Sequence, residues 1–294
     1  MQLRQNEDES LRLLLAQRRL YSRAKRYLSA RLNGMIIIGI GAPLVSLIWQ
    51  EAAFLTGAIA GIWVFLSRTW LSARERLLKG QAAYVQERFD FRVFAMPEAA
   101  NRIIKVSPEK IALETAEIND LHQVAQDQHV FDWYPINPED PGAVSVAISQ
   151  RANASYSDQL LGKTAFAWTA CMSIWAMVLI VACTIIGLSL SDFLIGIFLP
   201  LLPAALDISD FRSSVRKAAG EQRELASAIQ RRLEDRKTTI QPGELQVWQD
   251  RLFEIRSTSP LVPDKLYWGS RNKNEAAMHS ASSGFRRRET QSEE

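Results

Sequence analysis

Cysteine is nearly absent from this 294-residue chain, which has two, Cys171 and Cys183. Both fall in one apolar run. Twelve residues apart on a helix they would stand about 18 Å from each other along its axis, too far for a disulfide. They read as small apolar packing residues, and no disulfide framework is expected. Histidine is scarce as well, at three. His122 and His129 share one helical face, but no cysteine or third histidine supports them, so no metal is expected. The motifs of common enzyme classes are missing: no GxGxxG, phosphate-binding loop, HExxH, CxxC or GxSxG occurs. The carboxylates are many but scattered. Neither catalysis nor a cofactor is expected. A net charge of +3 makes the chain no magnet for nucleic acid, and DNA is not an expected partner. The opening MQLRQNEDES is polar, and the first apolar run begins only near Leu32, so no signal peptide is expected.

What the chain has instead is apolar sequence gathered into two blocks. LNGMIIIGIGAPLVSLIW and AFLTGAIAGIWVFLSRTWL are separated only by Gln50-Glu51-Ala52. Each is close to the roughly 20 residues that cross a bilayer as a helix. The second block reads TAFAWTACMSIWAMVLIVACTIIGLSL, then Ser191-Asp192, then FLIGIFLPLLPAALDI. Pro200 and Pro203 predict a kink or early stop in its second half. The runs are apolar on all sides, which argues for hydrocarbon around them rather than a soluble core.

The basic residues set an orientation. Arg4, Arg12, Arg18, Arg19, Arg23, Lys25, Arg26 and Arg31 precede the first run. Arg68, Arg74, Arg76 and Lys79 follow the second, and Arg212, Arg216 and Lys217 follow the fourth. The two short turns carry none. The expected fold is an all-α membrane protein with two transmembrane helical hairpins, four spans in all, and cytoplasmic helical extensions. Residues 1–31 form a basic amphipathic helix, 32–71 the first hairpin, 72–163 a central cytoplasmic helical region and 164–208 the second hairpin. Residues 209–268 form C-terminal cytoplasmic helices, and 269–294 a polar tail expected to be disordered. Both termini are expected in the cytoplasm.

No ionisable residue lies deep in a span, which disfavours proton-coupled pumps and voltage sensors. Gly57 and Gly61 form a GxxxG, the spacing that lets helices approach closely, either within the hairpin or between subunits. Thr169, Ser173 and Thr184 give the third run a mildly polar stripe, suited to a water-facing ring or to helix packing. The basic face of Ser10–Arg31 suits anionic headgroups.

Several stretches around these runs resemble one family. They are LLAQRRLYSRAKRY (Leu14–Tyr27), AAYVQERFDFRVFAMP (Ala82–Pro97), DWYPINP (Asp132–Pro138), ISQRANASYSDQLLGK (Ile148–Lys163) and LFEIRSTSPLVPDKLYW (Leu252–Trp268). In this order around two apolar hairpins, the chain resembles the S-4TM family, the SMODS-associated four-transmembrane effectors of bacterial anti-phage systems. The resemblance implies a pore-forming effector of the bacterial inner membrane, without enzymatic activity, active as a homo-oligomer. Its trigger would be a cyclic oligonucleotide signal, bound directly or through a sensor or nucleotidyltransferase partner, and its effect cell death or growth arrest. A membrane-anchored signalling or scaffold protein, whose cytoplasmic helices bind a partner, is the alternative.

FDWYPINPEDPGAVSVAISQRANASY, Phe131 to Tyr156, is the most suggestive cytoplasmic stretch. Its prolines hold it extended. Trp133, Tyr134, Arg151, Asn153 and Tyr156 supply aromatic faces for a base and polar groups for phosphate. The same residues suit a packed corner between cytoplasmic helices, or a hinge leading to the third run.

Overall fold

The computed structural model describes residues 1–136, 142–235, 239–264 and 266–269. Among these residues all regular structure is helical. The helices are α1 (Gln2–Gln5), α2 (Asp8–Ile48), α3 (Ala53–Leu66), α4 (Ser72–Phe94), α5 (Pro108–Thr115), α6 (Leu121–Asp127), α7 (Gly142–Ile186), α8 (Leu190–Phe193), α9 (Leu199–Glu234) and α10 (Pro242–Thr258). A π-helical turn, Ser67–Leu71, carries α3 into α4, and another, Leu194–Phe198, carries α8 into α9.

The apolar runs are continuous with the charged helices beside them. No glycine or proline lies between Ser10 and Asn33, and leucine, alanine and arginine favour helix. The basic N-terminal helix and the first apolar run are therefore one helix, α2, of 41 residues, roughly 60 Å long. α7 has 45 residues and joins the polar SQRANASY stretch to the third run.

Burial inverts along these long helices. At one end Leu11, Leu14, Leu15 and Leu20 of α2 share a core with Val85, Phe89 and Val93 of α4, Val146 and Ala154 of α7, Ile229 of α9 and Leu252 and Ile255 of α10. A fully buried leucine or phenylalanine there contributes about 1.5–3 kcal/mol. At the other end Ile37, Ile48, Phe54, Phe65, Ile174 and Ile185 lie exposed. So large an apolar surface is tolerated only against hydrocarbon. Among the described residues the helices Phe54–Phe94 and Gly142–Ile186 are long and apolar enough to cross a membrane. A bent pair, Leu190–Phe198 with Leu201–Glu234, makes a third if it counts as one span. The protein is an all-α membrane protein.

Several boundaries differ from the sequence expectation. α7 stops at Ile186, before the expected Ser191-Asp192 turn. Gly187 takes φ 68°, open to glycine without strain, and the Ser189 hydroxyl caps α8 by accepting from the Asp192 amide at 3.2 Å. The fourth run bends by 62° between Phe198 and Leu201, and Pro203 lies within the helix that follows. α4 continues through FDFRVF to Phe94, because Phe89, Val93 and Phe94 all join the core, and ends at Ala95 with φ 53°. Residues 108–130 form two short helices. Ser107 caps α5, and Asp120 starts a second helix by accepting from the Gln123 amide at 2.9 Å.

Part of the basic face of α2 is engaged with protein, while Arg12 and Arg26 stay exposed. Arg18 donates to the Gln128 carbonyl, Arg19 to the Glu114 carbonyl at 2.6 Å, and Arg23 pairs with the Glu114 carboxylate. The segment α5–α6 thus clips onto α2. The polar tail expected over 269–294 lies, Gly269 apart, outside the described residues.

Candidate functional site

The centre of the bundle built by the charged ends of the long helices is polar. Asp90 of α4 is fully buried, flanked in sequence by Phe89 and Phe91. One oxygen accepts from the Tyr134 hydroxyl at 2.6 Å. The other accepts from Gln249 Nε2 at 2.8 Å and Arg256 Nη1 at 2.5 Å, both on α10. Gln150 of α7 donates to the Gln249 amide oxygen at 3.1 Å, and Asn153 donates to the Tyr134 hydroxyl at 3.3 Å. The backbone amide of Tyr134 donates to Gln5 of α1 at 3.0 Å. Five segments therefore converge on one ion pair. Burial opposes the Arg256 charge, yet the Asp90 carboxylate holds its pKa above the ordinary value. Burial, reinforced by Asp90, pushes the Tyr134 hydroxyl well up, and burial pushes Tyr21 to about 12. A buried ion pair on which several segments converge by hydrogen bonds favours one arrangement of the helices around it.

A second polar layer lies where the apolar runs meet the charged bundle. Arg31 of α2 binds Glu75 at 2.6 Å and the Ser67 hydroxyl at 3.3 Å. Arg68, in the π-helical turn, binds Asp207 at 2.9 Å and Asp210 at 3.0 Å on α9. Arg212 of α9 donates to Thr169 of α7 at 2.7 Å. Lys79 of α4 donates to the Thr258 and Ser259 carbonyls at 2.9 and 2.8 Å, capping the end of α10. These contacts tie all four long helices together at the foot of the apolar region.

At the opposite end of the bundle opens a cleft of about 1100 Å³. Its walls come from α1, from the turn Phe94–Pro97 after α4, from the first turn of α7 and from the first turn of α10. Leu3, Phe94, Met96, Ile136 and Val146 make it largely apolar, and among the described residues Arg4 is its one basic side chain.

The five residues singled out in the sequence occupy different places. Tyr134 and Asn153 are hydrogen-bonded partners in the buried network. Trp133 lies beneath the Arg18 guanidinium, 5.6 Å from its ring centre. Arg151 binds the Gln230 amide oxygen at 2.8 Å, and its pKa is lowered by burial. Tyr156 meets Tyr267 edge-on at 6.5 Å. None of the five lines the cleft. Gly57 and Gly61 have nothing within 4 Å of an added Cβ. The close glycine contact of the first hairpin is Gly34, where a Cβ would fall 2.0 Å from Trp63. Asp90 and Arg256 escaped the sequence reading, although the signal was present. Each is a charge set in an apolar run, FDF and FEIR, within stretches that carry the family resemblance.

The comparisons agree with that architecture. The family model described as the SMODS-associating 4TM effector domain matches residues 1–284. A curated protein of Bacillus cereus (strain VD146), described as a probable CBASS effector molecule, is 22% identical over 289 residues, covering 94% of both chains. No solved structure matches. With its helical membrane architecture and a match along nearly its whole length, the chain belongs to the SMODS-associating 4TM effector family.

Proposed function

We propose that this chain is the pore-forming effector of a CBASS anti-phage system. In this reading four spans in two hairpins sit in the bacterial inner membrane with both termini cytoplasmic. Several copies assemble, and a cyclic oligonucleotide signal opens them, bound directly or through a sensor or nucleotidyltransferase partner. The loss of the permeability barrier kills the cell or arrests its growth. No catalytic step is required.

The observation that carries this reading is the continuity of the helices. α2, α4, α7 and α9 each run from the cytoplasmic core into an apolar run, α4 through a π-helical turn, and a second π-helical turn lies within the run that α9 enters. A shift of one helix in the bundle therefore re-aims the segment it continues into, as packed cores switch between discrete arrangements rather than deforming smoothly. π-turns are frequent at functional sites in helices. Exposed Ser173 and Thr184, eleven residues apart on one face of α7, are the proposed water-facing stripe of the assembled form.

Dye release from liposomes tests the proposal. Protein inserted in dye-loaded vesicles is expected to release dye when one cyclic di- or trinucleotide of a panel is added. Release without nucleotide would keep the pore and assign sensing to a partner. Intact vesicles under every condition, with insertion verified, would overturn the pore and favour the membrane-anchored scaffold.

A further inference from the structure

The membrane-distal cleft has features that the packing of this chain leaves unexplained. Ser145, in the first turn of α7, is 4% exposed, and its hydroxyl has no hydrogen-bond partner among the described residues. Gln246, in the first two turns of α10, donates its amide nitrogen to Asp250 at 3.4 Å. A carboxylate only accepts, so this bond fixes the amide orientation. The Gln246 amide oxygen is then buried without a donor among the described residues. Both residues line the cleft. An unmet buried polar group costs about 1–3 kcal/mol, and two in one apolar cleft point to a polar molecule that meets them.

Charge and shape agree. The Arg4 guanidinium has no ion pair among the described residues, whereas Glu7, the one carboxylate among the described lining residues, is already held by Arg92 at 2.8 Å. The starts of two long helices, α7 and α10, add the positive ends of their dipoles. The α10 start is partly used by its own capping box between Gln241 and Glu244. Gly142 and Gly243 line the cleft at these starts, and an added Cβ at either meets nothing within 4 Å. Neither crowding nor a left-handed backbone requires glycine there. Its use fits a ligand that approaches the backbone closely. The volume lies at the upper end of small-molecule sites.

We propose that this cleft binds a phosphate-bearing small molecule that also carries an N–H donor, the chemistry of a nucleotide. Arg4, the α7 start and the Ser145 hydroxyl take the anionic group, Gln246 accepts the N–H, and Phe94, Met96 and Val146 cover its flat body. The assignment rests on reading the protein as a ligand-triggered effector. It places the trigger at the ends of α4 and α7 remote from their apolar halves, and beside α1, which leads into α2. A ligand drawing these ends together acts at once on the helices that continue into the first three apolar runs.

Binding and leakage separate this site from the proposed function. The full chain, tagged at its C-terminus in lipid nanodiscs, is titrated with labelled cyclic di- and trinucleotides and with ATP. Inorganic phosphate serves as competitor. One nucleotide is expected to bind saturably, with affinity at least tenfold weaker in Gly243→Leu, which fills the cleft, and in Arg4→Glu. Thermal unfolding of the unliganded variants is expected to stay at the wild-type midpoint. Unchanged affinity in both variants, or no binding of any nucleotide to the wild type, would overturn the site. Binding that the variants abolish upholds the site even where vesicles do not leak, in which case only the pore proposal fails.

Discussion

At the scale of single residues, the protein places charge where water is absent and compensates it by geometry. Arg256 and Asp90 are 6% and 0% exposed as side chains, and the Asp90 carboxylate favours the charged guanidinium against its burial. Removing one partner leaves an uncompensated buried charge, so Arg256→Met is expected to destabilise the helical bundle by about 3–5 kcal/mol. The double variant Asp90→Asn with Arg256→Met is expected to recover much of that, as read by thermal unfolding in detergent. Lys79 gives a pH signature. Burial lowers its pKa to about 8, partly offset by Glu75. Between pH 8 and about 10 the folded state has released this proton while the unfolded chain still holds it, so stability rises with pH across that window. Lys79→Met is expected to remove this rise, measured as the slope of the melting midpoint against pH. Neither residue stood out by type. A buried lysine and a solvated one are written with the same letter, and only their neighbours differ.

At the scale of elements, one helix serves two solvents. The sequence marked the apolar runs and the charged stretches correctly as helical, yet suggested boundaries where none exist. Helix propensity does not change when the surroundings change from water to lipid. α2 and α7 therefore continue through the junction, and the junction is built from side chains such as Arg31, Arg68 and Arg212. The turn in the second block shifted for a local reason, since Gly187 alone takes the left-handed conformation there and Ser189 caps α8 just after it. Glycine roles divide in the first hairpin. Gly34→Ala drives a Cβ into Trp63 and is expected to destabilise the α2–α3 pairing by about 1–3 kcal/mol, visible as a change in tryptophan emission and a lower melting midpoint. Gly57→Ala with Gly61→Ala is expected to leave the monomer unchanged and to weaken chemical crosslinking between copies, which assigns that face to assembly.

At the scale of the whole molecule, the buried core and the exposed apolar surface lie at opposite ends. The proposed topology predicts that alkaline phosphatase fused at Glu51 or Ser191 is active in cells, and that fusions at Gln128 or Gly269 are inactive. Activity at Gln128 would overturn the orientation. The sequence by itself determined the helical class, the apolar runs and the basic flanks, because periodicity, run length and charge are properties of the chain read locally. It also marked the aromatic Asp132–Pro135 corner. The tertiary structure alone decided that Tyr134 belongs to the buried Asp90–Arg256 network, that the arginines of α2 meet α5 and α6, and that a cleft opens between α1, α4, α7 and α10. Asp90 and Arg256 are 166 residues apart in sequence. Pairings over such separations are set by how the helices pack, and no local pattern encodes them.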